Sequence, residues 1–142
     1  MREIPLSSPD ITDLERKAIL EVLDTRNLSL GPKLPEFEEM LAHFVGTRYA
    51  VAVNSGTSGL HLCIKALGIA DGDEIITTPF SFVASANCIL YERAVPVFAD
   101  IDPFTLTLDV GQIEAKVTKK TKAILHVHVF GQPCNMDSVL KI

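Results

Sequence analysis

The chain has 142 residues, of which 47% are hydrophobic and 22% charged, a balance that suits a soluble globular protein with one real core. A net charge of −5, with Lys and Arg scattered along the chain, argues against a nucleic-acid phosphate backbone as partner. No apolar run nears the roughly 20 residues that span a bilayer, and the N-terminus lacks a basic-then-apolar signal pattern, so no membrane association and a cytoplasmic setting are expected.

Residues 1–10 form a polar, proline-marked lead in which Ser7-Ser8-Pro9-Asp10 signals a helix start. Ile11, Leu14, Ala18 and Val22 then predict an amphipathic helix to about Asp24. Arg26 to Pro32 reads as a loop, whose Gly31-Pro32 pair stops regular structure and can bring backbone near a ligand. A second helix is predicted over 35–44, with Phe37, Met40, Leu41 and Phe44 on one face and Gly46 at its end. Tyr49-Ala-Val-Ala-Val-Asn54 is apolar and β-branched and predicts a strand buried on both faces.

Ser55-Gly-Thr-Ser-Gly59 turns that strand, and Leu60, Cys63, Ile64 and Leu67 carry a third helix away from it. Gly72 to Pro79 predicts the next strand, followed by a helix over 81–91 entered through Phe80-Ser81-Phe82. A third strand over 95–99 ends in Asp100-Ile-Asp-Pro103. A short helix over 110–117 and a fourth strand over 123–129, turned by Gly131-Gln-Pro133, follow. Asn135 or Asp137 caps a last helix from Met136 to Ile142. This alternation predicts an α/β fold, a three-layer, mostly parallel sheet with helices on both faces. With no repeat, low-complexity segment or linker, residues 1–142 are expected to be a single domain. Because the last helix has barely begun at Ile142, that domain is expected to be incomplete, the N-terminal piece of something longer.

The turn at Ser55 carries the first functional suggestion. The leading N–H groups of a helix have no internal partner and bear partial positive charge, and the hydroxyls of Ser55, Thr57 and Ser58 add donors. That is an anion cup, with phosphate as its usual occupant. The same residues are also ordinary helix caps, so the turn alone leaves both readings open.

In open parallel sheets ligands bind beyond the carboxyl ends of the strands. Residues 55–59, 77–82, 100–102 and 128–132 fall there, so the cup and the rings of Phe80 and Phe82 can share a pocket for a planar phosphorylated cofactor. A P-loop would need a lysine that this turn lacks, and a Rossmann fingerprint would need a further glycine and an acid ending the next strand. A cup without lysine suits one phosphate monoester. His126 and His128 share one face of a strand but have no third ligand in view, and the cysteines Cys63, Cys88 and Cys134 are widely spaced, so no metal is expected. Asp100 and Asp102 read as a turn.

Several short words occur in order along nearly the whole chain. They are Ser8-Pro9-x-Ile11, Leu30-Gly31-Pro32, Phe37-Glu38, Ala50-Val-Ala-Val-Asn-Ser-Gly-Thr57 and Gly72-Asp-Glu-Ile75. Then come Ser81-Phe-Val-Ala84-x-Ala86-Asn87, Pro96-Val-Phe98, Asp100-Ile-Asp102, Thr121-Lys-Ala123 and Val127-His128-x-x-Gly131-Gln-Pro133. By these words the chain resembles the N-terminal part of the sugar aminotransferases of the DegT/DnrJ/EryC1/StrS family, a branch of the fold-type I pyridoxal-phosphate enzymes.

The resemblance implies pyridoxal 5'-phosphate as cofactor, with Gly56, Thr57 and Ser58 on its phosphate and Phe82 stacked on its pyridine ring. It places Ser8, Gly31 and His128 toward the substrate side. It implies a homodimer that moves an amino group, with glutamate as donor, to a keto group of a nucleotide-linked deoxysugar. The family's Schiff-base lysine and pyridine-pairing acid match positions beyond Ile142, and neither Lys65 nor Lys122 occupies a matching position, so no catalytic residue is assigned and the chain alone is expected to be inactive. The same words fit a sugar dehydratase of that family, and a non-catalytic fragment that binds a phosphorylated ligand.

Overall fold

A computed structural model describes residues 4, 5 and 7–142; of the polar lead, residues 1–3 and 6 lie outside the described residues. Two units, Met1–Ala52 and Val53–Ile142, are each described by themselves. In the first, helix α1 (Asp13–Leu23) starts at Thr12. The Thr12 hydroxyl accepts the Leu14 N–H at 3.2 Å, and the Glu15 carboxylate accepts the Thr12 N–H at 2.6 Å. This reciprocal capping box corrects the expected start at Ser7–Asp10: neither Ser7 nor Ser8 has a Glu or Gln three residues on to return the bond. Helix α2 (Lys33–Val45) ends at Gly46, whose left-handed backbone (φ 78°) lets its N–H reach the Ala42 carbonyl at 3.0 Å. The apolar face of α2 stays open, with Phe37, Met40 and Phe44 at 54%, 66% and 88% exposure.

Residues 49–54 form no ladder with any described residue, and Tyr49 and Val51 are 73% and 76% exposed. The expected buried strand is therefore absent. Apolar, β-branched residues make a segment fit to be a strand, but a strand exists only where a neighbour takes its N–H and C=O groups.

The second unit opens with helix α3 (Gly56–Ala66) and is built on a three-stranded parallel sheet in the order β2-β1-β3. Strand β1 (Glu74–Thr77) lies between β2 (Val95–Phe98) and β3 (Thr121–Leu125). Helix α4 (Ala84–Tyr91) connects β1 to β2, and α5 (Val110–Ile113), with a 3-10 turn at Glu114–Lys116, connects β2 to β3. A short α6 (Met136–Val139), capped by Asn135, follows β3.

The first crossover runs from the central strand outward and the second runs back across it. Crossovers share one hand, so the two helices must fall on opposite faces. They do. Ile75 packs with Ile64, Cys88 and Ile89 on one face, and Ile76 packs with Ala99, Leu108, Ile113 and Val139 on the other. Both isoleucines are 0% exposed, as adjacent residues of a central strand must be when both faces are covered. The strand expected over 123–129 instead ends at Leu125, because its ladder partner Thr77 is the last residue of β1.

A polar clamp ties α3 to the end of α4. The Glu92 carboxylate meets His61 Nε2 at 2.6 Å and Lys65 Nζ at 3.3 Å. The hydrogen bond from His61, helped by Lys65, lowers the Glu92 pKa. A carboxylate with a lowered folded pKa contributes stability that is full above its unfolded value, about 4.3, and is lost as pH falls through the folded one. Glu92→Gln should therefore melt below wild type above about pH 5, with the gap narrowing below about pH 4. A gap independent of pH in thermal melts would contradict this role.

Candidate functional site

The helix directions follow from the connections. Helix α4 leaves the carboxyl end of β1, so its N-terminus lies at that edge. Helix α3 delivers the chain to the amino end of β1, so its own N-terminus lies at the carboxyl edge as well. Past that edge the chain leaves β1 toward the face covered by α4, and leaves β3 toward the face covered by α6. Adjacent strands whose connections part to opposite faces leave a crevice between them, the usual ligand position in such sheets. The segments bordering it are 78–83 and 126–135.

At the start of α3, Ser55 is the N-cap, and its Oγ accepts the Ser58 N–H at 3.1 Å. The Ser58 hydroxyl donates to Asn54 Oδ1 at 2.7 Å and lies 3.0 Å from Ser55 Oγ. These three side chains thus satisfy one another. The N–H groups of Gly56 and Thr57 and the Thr57 hydroxyl have no partner among the described residues. A Cβ built on Gly56 would meet nothing within 4 Å, so the backbone there is open to a bulky ligand. The arrangement offers donors to an anion without a lysine, which suits a phosphate monoester. Ser58, expected beside Gly56 and Thr57, sits in the turn with its N–H and hydroxyl both engaged. Asn54, expected only as the end of a strand, holds that hydroxyl.

Phe82 stands just before α4 with its side chain 76% exposed, so it is not a core aromatic. The expected helical start at Ser81 is corrected to Ala84: the Ser81 and Ser85 hydroxyls pair at 2.7 Å and hold 81–83 as a loop. Phe80 is 40% exposed and lies edge-on to Phe130 at 6.2 Å. The Thr77 hydroxyl donates to the Leu125 carbonyl at 2.9 Å, fastening the ends of β1 and β3 beneath these rings.

His128 Nδ1 accepts the Cys134 N–H at 3.0 Å, which fixes its proton on Nε2 when the ring is neutral. Its ring lies 4.8 Å from that of His126, whose pKa is lowered by burial and then by His128. No group of three or more His, Cys, Asp or Glu able to hold a metal occurs among the described residues. Asp102 is a turn residue: its Oδ1 accepts the N–H groups of Phe104 and Thr105 at 2.9 and 2.8 Å, and these bonds lower its pKa. Among the described residues the Gln132 side chain makes one long contact, 3.5 Å to the Pro133 carbonyl.

In the first unit, Ser8 is exposed. Gly31 lines an apolar cavity of about 390 Å³ with Val22, Leu28, Leu30 and Leu34. A Cβ on Gly31 would lie 2.6 Å from the Asn27 carbonyl oxygen, so only glycine fits that close turn. Lys65 pairs with Glu92 at the far end of α3 from the cup. Lys116, Lys119, Lys120 and Lys122 precede or open β3 at the amino edge. None of these lysines lies at the carboxyl edge.

The sequence profile of the DegT/DnrJ/EryC1/StrS aminotransferase family matches residues 9–142. The chain belongs to that family. It is 48% identical over 139 residues to the spore coat polysaccharide biosynthesis protein SpsC of Bacillus subtilis (strain 168), covering 98% of this chain and 36% of the relative. Among solved structures it is similar to Helicobacter pylori PseC, an aminotransferase involved in the biosynthesis of pseudoaminic acid, at 38% identity and a TM-score of 0.92, covering 99% of this chain and 38% of that one. It is similar at 36% identity and a TM-score of 0.92 to a GDP-4-keto-6-deoxymannose-3-dehydratase with a trapped PLP-glutamate geminal diamine, covering 98% of this chain and 38% of that one. The chain thus spans a little over a third of the length of these relatives. No helix among the described residues is long and apolar enough to cross a membrane.

Removing the cap should test how far the cup depends on Ser55. Ser55→Ala is expected to lower stability by about 0.5–2 kcal/mol. An unchanged midpoint in urea unfolding would show that the Ser55–Ser58 bond holds nothing.

Proposed function

We propose that this chain is part of a pyridoxal-phosphate-dependent aminotransferase that delivers an amino group, with glutamate as donor, to a keto group on a nucleotide-linked deoxysugar. The reading rests on one observation above all: free N–H donors at the start of α3 and the exposed ring of Phe82 stand at the same edge of one sheet. The cofactor, when bound, supplies the electron-withdrawing ring that carries the amino group between donor and acceptor. This chain's residues bind and orient it. Gly56 and Thr57 donate N–H groups to the phosphate, with the Thr57 hydroxyl beside them, and Ser58 donates once it leaves Asn54. Phe82 covers one face of the pyridine ring and keeps water from it. His128, its tautomer set by Cys134, offers an Nε2 proton on the substrate side.

In this reading none of the lysines of residues 1–142 bonds the cofactor, and these residues alone transfer no amino group. Within the same reading, both units belong to one large domain of a cytoplasmic homodimer, and the open apolar face of α2 supports a protein partner. The likeness to a sugar dehydratase, at a TM-score of 0.92, supports a second reading in which the same half-site serves dehydration. A non-catalytic fragment that binds a phosphorylated ligand is the third.

Titration of the chain with pyridoxal phosphate, followed by absorbance, tests the assignment. Saturable binding is expected without the visible band of a lysine-linked cofactor. Phe82→Ala should weaken it about tenfold, the effect of losing roughly 1.4 kcal/mol of stacking. Equal affinity in the variant would overturn the reading, and measurable amine transfer by the purified chain would show that residues 1–142 are not inactive alone.

A further inference from the structure

Phe130 is a large aromatic residue in a backbone conformation that disfavours it. Its φ and ψ are 51° and 25°, in the left-handed region, and the neighbour Gly131 is at φ 82°. A glycine at 130 would adopt that conformation without strain, so the backbone alone does not account for a phenylalanine there. The loop that imposes it is closed by two bonds at its base: the Cys134 N–H to His128 Nδ1 at 3.0 Å, and the Cys134 thiol to the Val127 carbonyl at 3.2 Å. Cys134 itself is 4% exposed. Inside the loop, the N–H groups of Gly131 and Gln132 reach the carbonyls of His128 and Val129 at 3.2 and 2.9 Å. The result holds the Phe130 ring out at 83% exposure, in an edge-to-face approach to Phe80. Strain of this kind persists where surrounding structure over-determines it, and it gathers at ligand sites.

Phe80 is two residues before Phe82. Around them the segment is pinned at three points: the Phe80 N–H on the Thr78 hydroxyl (3.2 Å), the Ser81–Ser85 hydroxyl pair (2.7 Å), and the Ser85 N–H on the Phe82 carbonyl (3.0 Å). The Phe80 ring is the part of this segment that faces the loop after β3, and Phe130 is what it meets. We propose that Phe130 is a positioning residue for Phe82: the loop closed by His128 and Cys134 sets Phe130 against Phe80, and this contact fixes the turn from which the Phe82 ring meets a bound pyridine. The proposal rests on the cofactor reading above and assigns the strained loop after β3 a task in it.

The test uses the whole chain labelled with 4-fluorophenylalanine, its seven phenylalanine resonances assigned by single substitutions. Phe130→Gly relieves the backbone strain while removing the ring. It is expected to leave the melting temperature unchanged or higher, to move the fluorine resonances of Phe80 and Phe82, and to weaken pyridoxal phosphate binding about three- to tenfold, the range of one aromatic pair. Phe130→Tyr should restore both resonances and affinity. If the Phe82 resonance stays put in Phe130→Gly, the positioning role is wrong, whether or not the chain binds cofactor. If affinity falls only in step with melting temperature, Phe130 is merely structural and the proposal fails. Absence of binding in wild type, with the Phe82 resonance still moved by the substitution, would refute the cofactor reading and leave the Phe130–Phe82 coupling standing.

Discussion

The pairing of β1 with a parallel strand on each side is the constraint on which the second unit depends. A central parallel strand must hide both faces, and Ile75 and Ile76 do so at 0% exposure, each in its own cluster. Fully burying two such side chains contributes on the order of 1.5–3 kcal/mol each. Because crossovers share a hand, the same pairing sends α4 and α5 to opposite faces and parts the connections beyond β1 and β3. The crevice at the carboxyl edge is thus a consequence of sheet order and needs no separate cause.

What occupies that edge is unusual in its balance of satisfied and free groups. Ser55, Ser58 and Asn54 bond to one another and make the start of α3 rigid. The N–H groups of Gly56 and Thr57 have no partner among the described residues, and a Cβ on Gly56 would meet nothing within 4 Å. The rings of Phe80, Phe82 and Phe130 flank the crevice, while the lysines near the sheet lie at its amino edge.

The helices were legible because their signals are local. Phe37, Met40, Leu41 and Phe44 recur within α2, Gly46 ends it, and Ser55 starts α3. The starts of α1 and α4 were displaced, because Thr12 outcompetes Ser7 and Ser8 through Glu15, and because Ser81 pairs with Ser85 instead of entering the helix. Pairing is not local. Residues 49–54 have the composition of a strand without a described neighbour, and β3 stops at Leu125 because β1 stops at Thr77, although apolar alternation continues. The turn that starts α3 and its Ser55 cap could be read from residue types and order. The left-handed Phe130 could not, since Gly131-Gln-Pro133 announces a turn but not which residue takes the strained position.

In the proposed reading the free N–H groups at the start of α3 receive a phosphate monoester. The most direct measurement follows the backbone amide resonances of Gly56 and Thr57 as pyridoxal phosphate and then pyridoxal, which lacks the phosphate, are added to the labelled chain. Large, saturable shifts of these two amides are expected with pyridoxal phosphate, and little change with pyridoxal. Shifts of equal size with both compounds, or none at Gly56 and Thr57 while other residues respond, would contradict it.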